Sequence, residues 1–327
     1  MPVTLAGLLT QGCLPIGVSM ARKSVLLAPL ADVAGGKPCL LEPRFDDTLA
    51  AYRGGKYYAV PTAEFARQAA RWEITDPVRV IAHTSRCGST LLANLLALRS
   101  QSLVVKEPGF LNQAVRQVIR ARDAEARSAA AELVRGLVGY LGAVAQVHSR
   151  ELVIKPTSWT SPLLATVLPQ QRRDRWLLMW RNPVEVVASL MAAEPGWSRN
   201  AEARTDVLTV IDSPETGSKL GPLEFYALVW QAVVASFTLH PALDYAALRR
   251  DPAAAFRAVQ GWLALDQDSE LPAGFEQTLK RYSKGVDTVP FDPAGAHRRP
   301  PLSPADQAIV QAIVGDLAWI RGRAVLV

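Results

Sequence analysis

The chain has 327 residues, of which 49% are hydrophobic, and 36 basic against 30 acidic side chains give it a net charge of +6. This length and apolar content allow a large core in one or two domains. The basic excess is small and scattered, and the sequence has no nucleic-acid-binding signature. A basic excess of this size suits an anionic small ligand at least as well as nucleic acid, and without such a signature we expect no nucleic-acid partner. The sequence is silent on oligomeric state.

The cysteine content is low and odd in number, with Cys13, Cys39 and Cys87. Such a set argues against a disulfide framework, and none of the three has metal-ligand spacing, so we expect no metal. The N-terminus lacks a basic n-region, and no window holds about 18 consecutive apolar residues. We therefore expect a cytoplasmic protein without a membrane span or signal peptide.

Residues 1–75 contain strand-like pieces at Ser24–Leu30 and Lys56–Val60 and a helical stretch at Ala63–Arg71. We interpret them as an N-terminal extension packed on the core domain, which covers residues 76–327. In that domain strand-like and helical patterns alternate. The strand-like runs are Val78–Ala82, Leu103–Val105, Leu152–Ile154, Arg175–Trp180 and Ala242–Tyr245. The helical patterns are Thr90–Leu98, Ala124–Val147, Pro183–Ala192 and Pro222–Leu239.

This alternation predicts an α/β fold, with a parallel sheet flanked by helices on both faces. Ligands of such sheets bind beyond the carboxyl ends of the strands. Two polar segments rich in Pro and Gly, Glu194–Pro222 and Lys284–Pro304, predict long loops. Loops of this length act as lids or binding loops, or are plain surface insertions.

The segment "HTSRCGST", which begins at His83, lies between a predicted strand and a predicted helix. A helix N-terminus presents unpaired N–H groups and partial positive charge, and Gly88 allows a tight turn close to a ligand. Ser89 and Thr90 add hydroxyl groups, and Arg86 adds a planar cation. These features predict an anion site for phosphate. The simpler alternative is that Ser89 only caps the helix. A Walker A motif is absent, which disfavours a P-loop kinase.

A second motif, "RNPVEVVASL", follows the strand that ends at Trp180. Asn182, Pro183 and Glu185 are typical of N-cap, N1 and N3 positions. Arg181 at the strand tip and Ser189 on the helix face of the cap could bind a second anion. Helix initiation alone is the alternative explanation for this motif.

The ordered pair "SRCGSTLL" and "RNPVEVVASL" resembles the 5′-phosphosulfate loop and the 3′-phosphate motif of PAPS-dependent sulfotransferases. The segments "LVIKPTSW", "DYAALRRDP" and "RYSKG" also resemble family segments, so the likeness covers about Val78 to Gly285. The resemblance implies a P-loop NTPase-like, three-layer sulfotransferase fold of the bacterial type. It implies PAPS as sulfuryl donor, PAP as product and a small-molecule acceptor of unknown identity.

By this resemblance, the 5′-phosphosulfate is held by the loop, namely by Arg86, Cys87, Gly88, Ser89, Thr90 and Leu91. Arg86, which replaces a lysine common in the family, also serves catalysis by neutralising charge as the sulfuryl group departs. Arg181 and Ser189 are implied to bind the 3′-phosphate and Tyr245 to touch the adenine. Lys284 and Arg281 are further 3′-phosphate candidates.

The base that accepts the acceptor's proton is less clear, because Thr157 stands where cytosolic members carry a histidine. Glu107, at the end of the second strand, resembles the glutamate of bacterial and Golgi-type relatives, although it could instead pair with Lys106 or cap a helix. Lys155 is a catalytic candidate that could steady the sulfonate, or it forms an ordinary ion pair. His83 is a weaker candidate base. Trp159 and Trp197 are candidates for lining the acceptor pocket.

Two functions from different classes remain open on the sequence. One is a PAPS-dependent sulfotransferase. The other is a PAP- or PAPS-binding module of the same fold that has lost transfer, and an atypical kinase is a more remote alternative.

Overall fold

The computed structural model describes residues 4–29, 56–69, 71–72, 78–168, 174–212, 220–266, 270–281 and 301–321. The chain divides into two compact units. The first consists of Met1–Val80, Ala93–Thr157 and Val167–Asp174, and the second of Ile81–Leu92, Ser158–Thr166 and Arg175–Val327.

The described strands are β1 (Cys13–Ser19), β2 (Ser24–Pro29), β3 (Tyr58–Pro61), β4 (Arg79–His83), β5 (Ser102–Lys106), β6 (Glu151–Lys155), β7 (Trp176–Trp180) and β8 (Ala242–Asp244). The helices of the first half are α1 (Leu5–Thr10), α2 (Thr62–Ala69), α3 (Ser89–Ala97), α4 (Gly109–Ile119), α5 (Ala124–Val147) and α6 (Ser161–Val167). Those of the second half are α7 (Pro183–Ala192), α8 (Ala201–Val210), α9 (Pro222–Ala235), α10 (Tyr245–Arg250), α11 (Pro252–Trp262), α12 (Phe275–Lys280), α13 (Pro304–Val314) and α14 (Ala318–Arg321).

The main sheet has five strands in the order β5-β6-β4-β7-β8, and it is a parallel sheet flanked by helices. Strands β4, β5 and β7 are buried along their whole length, and β6 is buried except at its first residue, as expected where helices cover both faces. The predicted α/β class is therefore confirmed. A smaller antiparallel sheet, β1-β2-β3, is built from the N-terminal residues.

Close helix packing organises the first unit. A Cβ added to Gly136 of α5 would lie 3.3 Å from the Cβ of Ala69 and 3.5 Å from the Cα of Ala66, both in α2. Small residues on both helices thus bring their backbones together. Tyr140, one turn further along α5, packs its ring against Phe65 and Trp72 at 5.4 Å from each.

Helix α5 is the one described helix that is long and apolar enough to cross a membrane by length and composition. Its most apolar window is 72% buried inside the protein, as in a core helix. The exposed N-terminal turns of α5 are rich in alanine rather than in large apolar residues, which also differs from a lipid-facing surface.

Most predicted elements coincide with observed ones, and the α5 and α7 bounds agree with the prediction to the residue. One prediction was wrong: Glu194–Pro222, predicted as a loop, contains the helix α8, whose cap Asn200 accepts a hydrogen bond from Ala203 N. The second predicted loop lies outside the described residues except for its last four. The sequence also failed to predict β1, α1, α4, α6 and the helices from α10 to α14.

Candidate functional site

The loop between β4 and α3 has an unusual backbone. Ser85, Arg86 and Gly88 have φ values of 63°, 50° and 77°. Non-glycine residues in this left-handed region are uncommon, and such strain clusters at binding sites. Two side chains hold the loop within the second unit: His83 Nδ1 accepts a hydrogen bond from Ser85 N at 3.1 Å, and the Ser85 and Ser158 hydroxyl groups lie 2.6 Å apart. His83 thus helps to fix the backbone of this loop.

Position 88 requires glycine for two reasons, its backbone conformation and the lack of space for a Cβ atom. Its φ is left-handed, and an added Cβ would lie 2.7 and 2.8 Å from two ring carbons of Tyr245. The Tyr245 ring therefore packs directly on the glycine turn. Tyr245 begins α10, whose cap Asp244 accepts a hydrogen bond from Ala246 N.

Arg181 extends from the end of β7 to the same loop. One of its terminal nitrogens donates to the Arg86 carbonyl at 3.3 Å, and its guanidinium carbon lies 4.8 Å from the centre of the Tyr245 ring. Its Nε donates to Glu185 Oε2 at 2.5 Å, and its own carbonyl accepts from Trp230 Nε1 at 3.0 Å. The two motifs of the sequence therefore meet within the second unit.

The start of α7 follows the sequence prediction. Asn182 is the N-cap, with its side chain accepting from Val184 N at 2.9 Å, and Pro183 occupies the first turn. Glu185 at N3 binds the Arg181 guanidinium although its side chain is 54% exposed. An ion pair with a solvent-exposed carboxylate contributes little free energy, so breaking the Arg181–Glu185 pair costs little.

The Arg86 side chain has a partner that the sequence did not indicate. Its Nη2 donates to the Ala193 carbonyl at 2.7 Å, just past the end of α7. Cys87 is fully buried, and its Sγ donates to the Met179 carbonyl at 3.4 Å, so its side chain anchors the loop to β7.

The remaining predicted loop residues differ in exposure. Ser89 and Thr90 are buried at the first turn of α3, each 4% exposed, and Leu91 is half-buried. Ser189 is also buried, at 4%, and has an interaction of its own within the protein. Arg281 is exposed after α12, and Lys284 lies outside the described residues.

The two other catalytic candidates form an ion pair in the first unit. Lys155, at the end of β6, is 0% exposed and donates to Glu107 Oε1, while the Glu107 side chain is 21% exposed. Glu107 N also donates to the Lys155 carbonyl at 2.6 Å, and Glu107 has a left-handed φ of 47°. Lys106 is instead bound by Asn94 Oδ1 at 2.7 Å. The ion pair observed for Glu107 is thus the one with Lys155.

Thr157, at the position of the family's histidine, is 5% exposed and has an interaction within the protein. Trp159 is fully buried, so it belongs to the core rather than to an open pocket wall. Trp197 is half-buried and packs at 6.1 Å from the Phe225 ring and 6.0 Å from the Tyr226 ring.

An aromatic cluster in the second unit had no signal in the sequence. Burial raises the pKa of Tyr226, whereas a hydrogen bond with Ser198 and the charge of Arg86 lower it. Arg204 lies over the Phe225 ring at 5.4 Å and pairs with Glu194 at 3.1 Å. Only the tertiary fold brings these segments together, so composition and spacing could not reveal them.

No protein-family model matches the chain, and no curated protein matches it. Among solved structures the chain is similar to a sulfotransferase domain from the curacin biosynthetic pathway, with 14% identity. The alignment covers 74% of this chain and 98% of that domain, with a TM-score of 0.40. A likeness this weak decides neither family nor activity, so both are inferred from the residues themselves.

Proposed function

We propose that the protein is a sulfotransferase that transfers a sulfuryl group from PAPS to a hydroxyl or similar nucleophile of a small molecule. The observation that carries the proposal is the contact of the Arg181 guanidinium with the Arg86 carbonyl and the Tyr245 ring. The two motifs predicted to bind anions, one at Gly88 and one at Arg181, therefore lie beside the same turn. One nucleotide with phosphate groups at both its 5′ and 3′ positions would require this arrangement.

The donor groups around this turn fit such a ligand. Arg86 and Arg181 contribute two planar cations, and Ser89 and Thr90 contribute hydroxyl groups at a helix N-terminus. Guanidinium groups bind phosphate and sulfate in a bidentate manner, and a helix N-terminus adds backbone donors and a favourable dipole. PAPS itself supplies the activated sulfuryl group. The Tyr245 ring offers an aromatic face for a base.

We further propose that Glu107 accepts the proton of the attacking hydroxyl. A general base must be an accessible acceptor, and Glu107 keeps 21% of its side chain exposed. Lys155 orients this carboxylate through their ion pair and opposes the negative charge that spreads over the sulfonate. The residues proposed for catalysis are thus Glu107, Arg86 and Lys155.

A second function, nucleotide binding without transfer, is supported by the same ion pair. Lys155 is completely buried and already neutralised by Glu107, and an arrangement of this kind also occurs as a purely structural element. The two proposals share the nucleotide site and differ only in turnover.

Nucleotide binding is tested by calorimetry with PAPS, with its product PAP, and with adenosine 5′-phosphosulfate, which differs from PAPS only by lacking the 3′-phosphate. The two nucleotides compared for the 3′-phosphate are PAPS and adenosine 5′-phosphosulfate. Arg181→Ala should weaken PAP binding by about 1.5–3 kcal/mol, the usual scale for hydrogen bonds to charged groups. Arg257→Ala, an exposed arginine on α11, is the matched control and should bind normally. Equal affinity for both nucleotides, or an unchanged affinity in Arg181→Ala, would contradict the nucleotide site.

Turnover is tested with labelled PAPS and mixtures of alcohols, phenols, sugars and lipids as acceptors. Glu107→Gln should abolish sulfuryl transfer and leave PAP affinity nearly unchanged, with the exposed Glu276→Gln as control. Tight PAP binding with no product from any acceptor would favour the binding module. Full activity in Glu107→Gln would exclude Glu107 as the base.

A further inference from the structure

A large cavity lies in the first unit, and none of the residues proposed for nucleotide binding or catalysis is among those that line it. Its volume is about 1460 Å³, above the roughly 300–1,000 Å³ usual for small-molecule sites. Its walls come from the β1–β2 turn, α2, α4 and α5, and the described residues that line it all belong to the first unit. The described lining therefore shares no residue with the proposed nucleotide site.

One wall of the cavity consists of small apolar side chains that remain exposed to the cavity. Ala126, Ala129 and Ala130 line it from α5, and their spacing places them on one helix face. Ala126 and Ala129 are exposed, and Leu133 continues the row one turn further on, where it is buried. Trp72 adds an aromatic surface. Such a row of small apolar side chains is a suitable surface for an alkyl chain, whose burial is favourable in proportion to its apolar area.

Most of the charged residues in the described lining are basic. The described acidic residues there are Asp123 and Glu132, and the Asp123 side chain already caps α5 by accepting from Ala126 N. The basic residues described in the lining are Lys23, Arg67, Arg116, Arg120, Arg122 and Arg135.

Three of these basic side chains have no acidic partner among the described residues. Within the described part of the chain, Lys23, Arg67 and Arg122 form no salt bridge. Gln117 also lines the cavity, and its Nε2 is buried without a hydrogen-bond partner among the described residues. A buried amide donor without a hydrogen-bond partner lowers stability, and an acceptor atom of a bound ligand would remove that cost.

We propose that this cavity binds a single-chain amphipathic anion, a molecule with an alkyl chain and a carboxylate or phosphate head group. The chain lies along the alanine row, and the head group is bound by the basic residues and the Gln117 amide. Charge complementarity selects the anion, and apolar burial provides affinity for the chain. This site does not depend on the proposed sulfuryl transfer.

The experiment is a fluorescence titration of the full chain with 11-(dansylamino)undecanoic acid, a carboxylate probe whose emission rises in apolar surroundings. Saturable binding with one probe per chain is expected. Laurate and dodecyl phosphate should displace the probe, whereas dodecanol and dodecyltrimethylammonium, which have the same chain without negative charge, should compete at least about tenfold less well.

Matched variants locate the site. The double variant Arg67→Glu/Arg122→Glu should weaken probe binding roughly tenfold or more. Arg127→Glu, at an exposed arginine of α5 that is not among the residues lining the cavity, should change it less than about twofold. Ala126→Trp should block the alkyl chain, whereas Ala124→Trp, outside the lining, should not. Circular dichroism of each variant verifies folding.

Three outcomes would overturn the proposal. The first is the absence of saturable probe binding by the wild-type chain, which would mean that another occupant, such as a chain segment, fills the cavity. The second is equal competition by the cationic amphiphile. The third is binding to anionic vesicles without binding to the monomeric probe, because that result would indicate a membrane surface rather than a cavity site.

Discussion

Replacing Gly88 by alanine perturbs the nucleotide site through a single methyl group. At φ 77° an L-residue pays about 1–2 kcal/mol for the left-handed conformation. The new Cβ would also lie 2.7 Å from a Tyr245 ring carbon, a distance that real Cβ atoms do not reach, so the ring must move. Moving it disturbs the contact with the Arg181 guanidinium, worth about 0.5–1 kcal/mol. The expected loss of unfolding free energy is therefore about 1.5–3 kcal/mol.

Two other glycines separate these effects. Gly315 has φ 71° and ψ −158°, a backbone region that is essentially restricted to glycine, but nothing lies within 4 Å of an added Cβ, so Gly315→Ala should cost about 1–3 kcal/mol from conformation alone. Gly196 has neither feature, and Gly196→Ala should change stability by less than about 0.5 kcal/mol. Urea denaturation of the three variants measures these losses of unfolding free energy.

The double variant Gly88→Ala/Tyr245→Ala isolates the collision. Because the second substitution removes the ring that the methyl group meets, the two losses should be less than additive by about 1 kcal/mol or less. PAP affinity measured alongside should fall in Gly88→Ala and not in Gly315→Ala. A Gly88→Ala variant as stable as Gly196→Ala, with normal PAP affinity, would refute the packing of Tyr245 on the turn.

Three further predictions concern buried polar groups. Trp230→Phe removes the donor to the Arg181 carbonyl and should cost about 1–2 kcal/mol in urea denaturation, with weaker PAP binding. Asn94→Ala removes an acceptor from Lys106, which is 1% exposed, and should cost about 1.5–3 kcal/mol. Burial raises the pKa of Tyr140, so the unfolded state loses this proton first above about pH 10 and stability falls there. Tyr140→Phe should reduce that alkaline loss and be neutral or stabilising at pH 7, because the buried hydroxyl has no partner among the described residues.

Each of these predictions has an internal comparison. Trp262→Phe removes a similar hydrogen bond, to the Trp176 carbonyl at 3.1 Å, and should lower stability without changing PAP affinity. Tyr226→Phe loses the bond with Ser198, so it should destabilise at pH 7 where Tyr140→Phe does not. Parallel behaviour of the two tyrosine variants at pH 7 would show that their hydroxyl groups are equally satisfied. For Asn94→Ala, a stability loss below about 0.5 kcal/mol would mean that other contacts hold Lys106.

Local physics made much of the fold predictable from sequence. The strand that ends at Trp180 and the helix that begins at Pro183 follow from a short apolar run and an Asn-Pro cap, and both occur as predicted. The α8 helix was missed because Gly and Pro on both sides of it suggested a loop, while its moderate polarity hid any apolar face.

The sequence by itself determined the strand-helix alternation, the glycine turn and the capped start of α7, because each depends on residues close together in the chain. Only the tertiary structure decided the partners of the charged groups. Lys155 meets Glu107 because β5 and β6 pair in parallel with Lys106 opposite Lys155, a register that no local pattern specifies. Arg86 likewise finds the Ala193 carbonyl, and Arg181 the Tyr245 ring, across segments far apart in sequence. Long flexible side chains choose partners by proximity in space, and that proximity exists only after the chain has folded.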